Sequence, residues 1–198
     1  MKTVLLLTVT LFFLGCSRTS PMITEYRIAA KESKVSLESA SCKEDTIKVS
    51  QAFVKSSLMS KEMKYVVGDY EEYSYNQSEW AEHPNKAITN AVVASLEDAG
   101  IFANVTSYKS FSSSKYTLEI NVADFTQYYS SDEKSSTANL DITFSLIDNQ
   151  TSLIIASKHI VKKKKTQKAD AKSGVLALNA LLAQSLDELK IWIAKSCK

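Results

Sequence analysis

From Ser136 to Ile147 the chain alternates without a break. Ala138, Leu140, Ile142, Phe144 and Leu146 stand at every second position, with Thr137, Asn139, Asp141, Thr143 and Ser145 between them. A period of two puts every apolar side chain on one face of an extended segment, whereas a helix would scatter them around its circumference. Lys115 to Phe125 repeats the pattern with Tyr116, Leu118, Ile120 and Val122, and after a turn at Asp148-Asn149 the run Leu153 to Val161 returns as a third strand. Consecutive strands of this kind predict antiparallel neighbours with one buried face and one wet face.

Two helices are available to cover the buried face. The last element, roughly Asp170 to Ala194, carries Val175, Leu178, Leu182, Leu186, Leu189 and Ile193 at spacings of 3, 4, 4, 3 and 4. Leu176, Leu181 and Trp192 widen that stripe, as a helix packed on a sheet requires. An earlier helix begins near Pro84, places Ile88, Ala91 or Val92, Ser95 or Leu96, and Ala99 on one face, and meets Gly100 where a left-handed residue would end it. Upstream, Glu25 to Ile28 reads as a short strand and Lys31 to Lys43 as a polar loop. Thr46 to Leu58 reads as a strand followed by a bend, and Met63 to Val67 as a strand. Gly68-Asp69 is a turn, Tyr70 to Tyr75 an extended aromatic piece, and Ile101 to Tyr108 a further short strand. The expected fold is a single α/β domain, a mixed and mostly antiparallel sheet flanked by two main helices. The alternative is an α+β two-layer sandwich.

The N-terminus is of another character. Lys2 precedes an almost unbroken apolar run from Val4 to Leu14, too short to be a spanning helix, and Gly15 stands immediately before Cys16. Phe13-Leu14-Gly15-Cys16 resembles the lipobox of bacterial lipoproteins, with Phe13 where Leu is usual. That resemblance implies cleavage before Cys16, acylation of its thiol and new amine, and a body tethered to a membrane. The domain reading is a lipoprotein signal peptide over residues 1–15, a lipidated tether over 16–24 and one folded domain over 25–198. No second stretch is long and apolar enough to be a transmembrane helix.

Cleavage would leave 198 − 15 = 183 residues, the size of one domain, and only four glycines and two prolines argue against a disordered or collagen-like chain. The formal charge of +2 falls to about +1 once Lys2 is lost, so no global field invites nucleic acid. With Cys16 acylated, Cys42 and Cys197 remain, an even pair in an oxidising compartment, and they read as a disulfide. The loop it would close spans about 155 residues, for which chain-entropy estimates approach ~5 kcal/mol as an upper bound.

Catalytic patterns are not evident. His83 precedes a proline and His159 sits in a strand, neither in a metal-ligating spacing, and there is no nucleophile elbow or glycine-rich phosphate loop. The chain therefore reads as a non-enzyme without cofactor or metal. Lys162-Lys163-Lys164-Lys165 is either a solvated strand end and loop or a contact for anionic head groups, and the first reading is preferred. Tyr65, Tyr70, Tyr73, Tyr75 and Trp80 crowd a short stretch, and aromatics with polar tips are enriched at contact surfaces. Tyr70, Tyr73, Tyr75 and Trp80 are the candidate partner contacts, and of these Trp80, next to a helix start, is the one most expected to serve the core.

The ordered set of a lipobox, Tyr26-Arg27-Ile28, Ile47-Lys48-Val49, Trp80-Ala81-Glu82-His83-Pro84, Leu96 to Phe102, Leu118-Glu119-Ile120 and a final helix ending near Trp192 resembles the ABC-type transport auxiliary lipoproteins, the PqiC/YmbA-like family. The polar loop Lys31–Lys43 and the Phe53–Val67 region depart from that pattern. The resemblance implies a mixed sheet with flanking helices and a non-catalytic role. It implies a periplasm-facing lipoprotein, usually on the outer membrane with the inner membrane as the alternative. Its partners would be an MCE-domain protein with an ABC permease and ATPase that move phospholipids and maintain membrane integrity. Acyl chains would be its membrane contact, and a homo-oligomer stays open. The competing reading is a lipoprotein that activates or docks in another envelope assembly, such as a peptidoglycan synthase.

Overall fold

The structure is a computed structural model that describes residues 22–30 and 42–196. Its frame is one long strand, β7 (Tyr116–Tyr129), and each other strand is placed by where it meets that frame. Along one edge β7 pairs antiparallel with β8 (Ser136–Asp148) over its whole length, and β8 pairs antiparallel with β9 (Leu153–Lys165). Along the other edge three short strands divide β7 between them, all parallel to it. β2 (Thr46–Val49) takes Tyr116–Leu118, β3 (Phe53–Val54) takes Asn121–Val122, and β4 (Glu62–Val67) takes Gln127–Tyr129. β6 (Asn104–Ser107) extends the sheet beyond β2. β5 (Glu71–Trp80) pairs antiparallel with β4, and β1 (Thr24–Tyr26) pairs parallel with Ser78–Trp80 of β5.

The alternation read from the sequence decides which face is dry. Leu118, Ile120, Leu140, Ile142, Phe144 and Leu146 are buried to within 1 % on one face. Between Val122 and Asp124 a bulge shifts the register of β7 by one residue. The inward positions therefore pass from even to odd numbers, and Phe125, Gln127 and Tyr129 point to the covered face. Helix α1 (Pro84–Ala99) packs over β2 and β6 through Ile88, Val92 and Leu96, and helix α2 (Ala171–Ser196) packs over β8 and β9. The two helices also touch each other, so they share one face of the sheet. The result is a single α/β domain with a mixed nine-stranded sheet among the described residues, its antiparallel pairing concentrated in β7, β8 and β9.

Local signals account for the ends of these elements. Pro84 occupies the first turn of α1, where its missing N–H costs nothing, and Gly100 ends the helix at φ 60° with its N–H on the Glu97 carbonyl. Asp170 begins α2, its Oδ1 accepting the N–H of Ser173 at 2.7 Å. The side-chain amide of Asn179 in α2 ties down the chain after β1: it donates to the Arg27 carbonyl and accepts the Ala29 N–H, both at 3.1 Å.

Sequence reading and structure differ at several places: β5 runs from Glu71 to Trp80 and does not end at Tyr75, and β6 covers only Asn104–Ser107 of the expected Ile101–Tyr108. β9 runs on to Lys165, so the four lysines belong to the strand ladder and not to a loop after it. β7 continues four residues past Phe125, to Tyr129. Thr46 to Leu58 is broken into β2, β3 and a 3-10 turn at Ser56–Leu58, because Ala52 N–H turns aside to the Thr89 hydroxyl of α1 at 2.9 Å.

Candidate functional site

The aromatic segment separates into three environments according to position along β5, since Tyr73 and Tyr75 are two residues apart and share a face. Trp80, at the end of β5, is 3 % exposed and lies 6.0 Å from the Phe125 ring, so it is a core residue and offers no ring to a partner. Tyr75 is half-buried and enters a ring cluster on the covered face. Tyr65 is its hub, 4.5 Å from Tyr75, 5.1 Å from Tyr129 in an edge-on arrangement and 5.7 Å from Tyr73, stacked. Tyr73 is 47 % exposed, and Tyr70, on the β4–β5 turn, is 94 % exposed.

A directional hydrogen-bond chain fixes the floor of this cluster. The Tyr75 hydroxyl donates to Gln127 Oε1 at 3.0 Å and so accepts from the Tyr129 hydroxyl at 2.6 Å. Gln127 Nε2 donates to Ser136 Oγ at 2.8 Å and to the Asp170 carbonyl at 3.2 Å. Thr166 Oγ1 donates to the Ser136 carbonyl, which leaves Ser136 Oγ to donate to Thr166 Oγ1 at 2.6 Å. Burial pushes the Tyr75 phenol far above its ordinary range and raises Tyr129 as well. Tyr128, on the opposite face, is pushed up to about 12 by burial and then by the charge of Asp124, to which it donates at 3.0 Å. The Glu71 carboxylate accepts the Tyr73 hydroxyl at 3.1 Å and raises that phenol too. Gln127 is held from above by Gly174 of α2, where any β-carbon would sit 1.7 Å from Gln127 Oε1.

At the β4–β5 turn Val67, Gly68, Asp69, Tyr70 and Glu71, with Ser131, line an open cleft of about 380 Å³. It is shallow and flanked by carboxylates, with no buried nucleophile. His83 Nδ1 donates to the Met59 carbonyl at 2.7 Å, and His159 Nε2 meets Asp141 Oδ1 at 2.8 Å on the uncovered face of the sheet. Among the described residues no three His, Cys, Asp or Glu side chains converge as metal ligands, and no helix is long and apolar enough to cross a membrane.

The remaining expected sites are scattered. Lys162 to Lys165 lie on β9, where Lys162 pairs with Glu188 of α2 at 2.6 Å. Cys42 is 1 % exposed, within the main core and engaged with a partner. Cys16 and Cys197 lie outside the described residues. Reading along the sequence missed the roles of Tyr65, Tyr129 and Gln127, which meet only across strands. It also missed Gly174, although an isolated glycine inside a periodic helix is a recognised sign of close packing.

The fold and its relatives agree. Protein XCC0632 from Xanthomonas campestris, of the family DUF330, superposes with a TM-score of 0.77 at 19 % identity, over 87 % of this chain and 95 % of its own. A second crystal structure, of an uncharacterized protein, superposes at 0.64 with 18 % identity, over 88 % of this chain and 97 % of its own. At such identities the likeness shows the fold alone. No curated protein matches the chain. The model of a family described as ABC-type transport auxiliary lipoprotein component matches residues 26–190, from β1 through nearly all of α2. The chain thus belongs to the ABC-type transport auxiliary lipoprotein family.

Proposed function

We propose that this chain is a non-catalytic docking subunit of an MCE/ABC-type phospholipid transport system, held by acylated Cys16 at the outer membrane and facing the periplasm. In this reading residues 1–15 are removed as a signal peptide, residues 16–24 tether the body, and the partner is an MCE-domain protein with its ABC permease and ATPase. Family membership supports the transport role. The observation that carries the docking role is the contrast between Tyr70, exposed on the turn, with Tyr73, half exposed and stacked on Tyr65, and the more buried rings of the cluster, where Gln127 holds Tyr75. Rings displayed on a rigid base lose little conformational entropy on binding, and one such anchor is often worth ~2 kcal/mol or more, about thirtyfold in affinity. Cys42 is further inferred to pair with Cys197. Its burial and its place in the same core as Ile193, near the end of α2, support that pairing.

Capture of partners from envelope extracts by the tagged full chain tests the reading. Recovery of MCE-domain, permease and ATPase proteins, reduced severalfold or more by Tyr70→Ala with Tyr73→Ala, is the expected result. Recovery of a peptidoglycan synthase in their place, or capture indifferent to both substitutions, would overturn it.

A further inference from the structure

We propose that copies of this chain associate head to tail, the acidic free edge of β5 in one copy pairing antiparallel with the basic free edge of β9 in the next. β9 is an outermost strand whose outer edge has no partner among the described residues, and it carries exposed Leu153, Ile154, Ile155 and Val161. Beyond Ser78–Trp80, where β1 sits, β5 is also an outer strand, and it begins Glu71-Glu72-Tyr73-Ser74-Tyr75. A long edge with apolar side chains is a template for another strand.

The two edges match in level, direction and charge. Followed across the sheet, one row reads Glu72, Val66, Tyr128, Thr137, Lys165, and the next reads Tyr73, Tyr65, Gln127, Ala138, Lys164. The acidic start of β5 and the basic end of β9 therefore stand at the same height on opposite sides of one molecule. β5 runs opposite to β7 and β9 runs with it, so β5 of one copy beside β9 of another is an antiparallel pair. In that pairing Glu72 faces Lys165, and Glu71 lies diagonally near Lys164 on the other face. Among the described residues Lys163, Lys164 and Lys165 have no carboxylate within ion-pair distance. Glu72 already holds Lys64 at 3.3 Å, but both are partly exposed, and such a pair exchanges at little cost. Four consecutive lysines repel a second β9 edge in any register that brings the two C-terminal ends together, whereas the acidic start of β5 attracts them. A contact between two different surfaces repeats from copy to copy and yields a ring if the rotation closes.

The test uses the full chain in its own envelope, with a photoreactive benzoylphenylalanine in place of Tyr73. Irradiation should give adducts at multiples of the chain mass, joined to a peptide containing residues 157–168 of a second copy. Glu71→Lys with Glu72→Lys, or Lys163→Glu with Lys165→Glu, should each lower the yield roughly tenfold or more, because like charges then face each other. All four changes in one chain should restore it to within about twofold, as should co-expression of the two double variants. Adducts confined to other proteins or to other segments, yields unmoved by charge reversal, or a four-residue swap that fails to restore them while the wild type associates would overturn the proposal.

Discussion

Gly174→Ala is a substitution whose sign the helix alone gets wrong. In the interior of α2, alanine is favoured over glycine by about 0.8–1 kcal/mol. Here the new β-carbon would meet Gln127 Oε1 at 1.7 Å and Cδ at 2.4 Å, where ordinary contact begins near 3.4 Å. Gln127 must then retreat, and although its side chain is flexible, its end is held. It accepts from Tyr75 and donates to Ser136 and to the Asp170 carbonyl, and it is 2 % exposed. Losing three such bonds costs about 3 kcal/mol at ~1 kcal/mol each. Set against the helix gain, the net is a destabilisation of about 2 kcal/mol, which lowers the melting temperature of a chain this size by about 4–8 °C. Gln127→Ala removes the obstacle, so in that background Gly174→Ala should stabilise by about 0.5–1 kcal/mol. Thermal and urea unfolding of the four proteins measures both differences. A single Gly174→Ala variant as stable as the parent, or a double variant without the reversal of sign, would refute the packing argument.

Tyr70→Ala should leave the melting temperature within about 2 °C, whereas Trp80→Ala should cost about 3–5 kcal/mol as a core truncation, and calorimetry separates them. Tyr75→Ala, from a ring on the same strand, should also lower the midpoint measurably, because it opens the cluster and strips Gln127 of a donor. Stability should be full below about pH 10, the ordinary phenol value, and should fall as pH rises toward 12. Tyr128 ionises at about 12 in the folded state, and Tyr75 and Tyr129 are raised too, so the folded chain holds more protons than the unfolded one in that window. Absorbance titration at 295 nm beside unfolding curves from pH 9 to 12 checks it, and flat stability there would count against the burial of these phenols. Alkylation of unreduced, denatured protein should label neither Cys42 nor Cys197, and labelling of both in protein taken directly from the envelope would exclude their disulfide.

The sequence by itself determined the elements whose information is local. The period of two in Ser136–Ile147 specified β8 and its buried face, and the 3–4 spacing from Val175 to Ile193 specified the buried stripe of α2. Pro84 and Gly100 marked the ends of α1, because one fixes φ and the other adopts a left-handed φ at no steric cost. Only the tertiary structure decided what depends on residues far apart in the chain. The bulge after Val122 changed which tyrosines face the helices. The ring cluster joins Tyr65, Tyr75 and Tyr129 from three strands, and the position of Gln127 gives Gly174 its purpose. The lysine run reads as a strand end and loop because lysine has a weak strand propensity, yet it continues β9, since the ladder to Thr137–Leu140 pairs its inner edge and Lys162 finds Glu188. Local patterns fix which face of an element is apolar, but strand order and register fix which apolar and polar groups meet, and those are properties of the folded sheet.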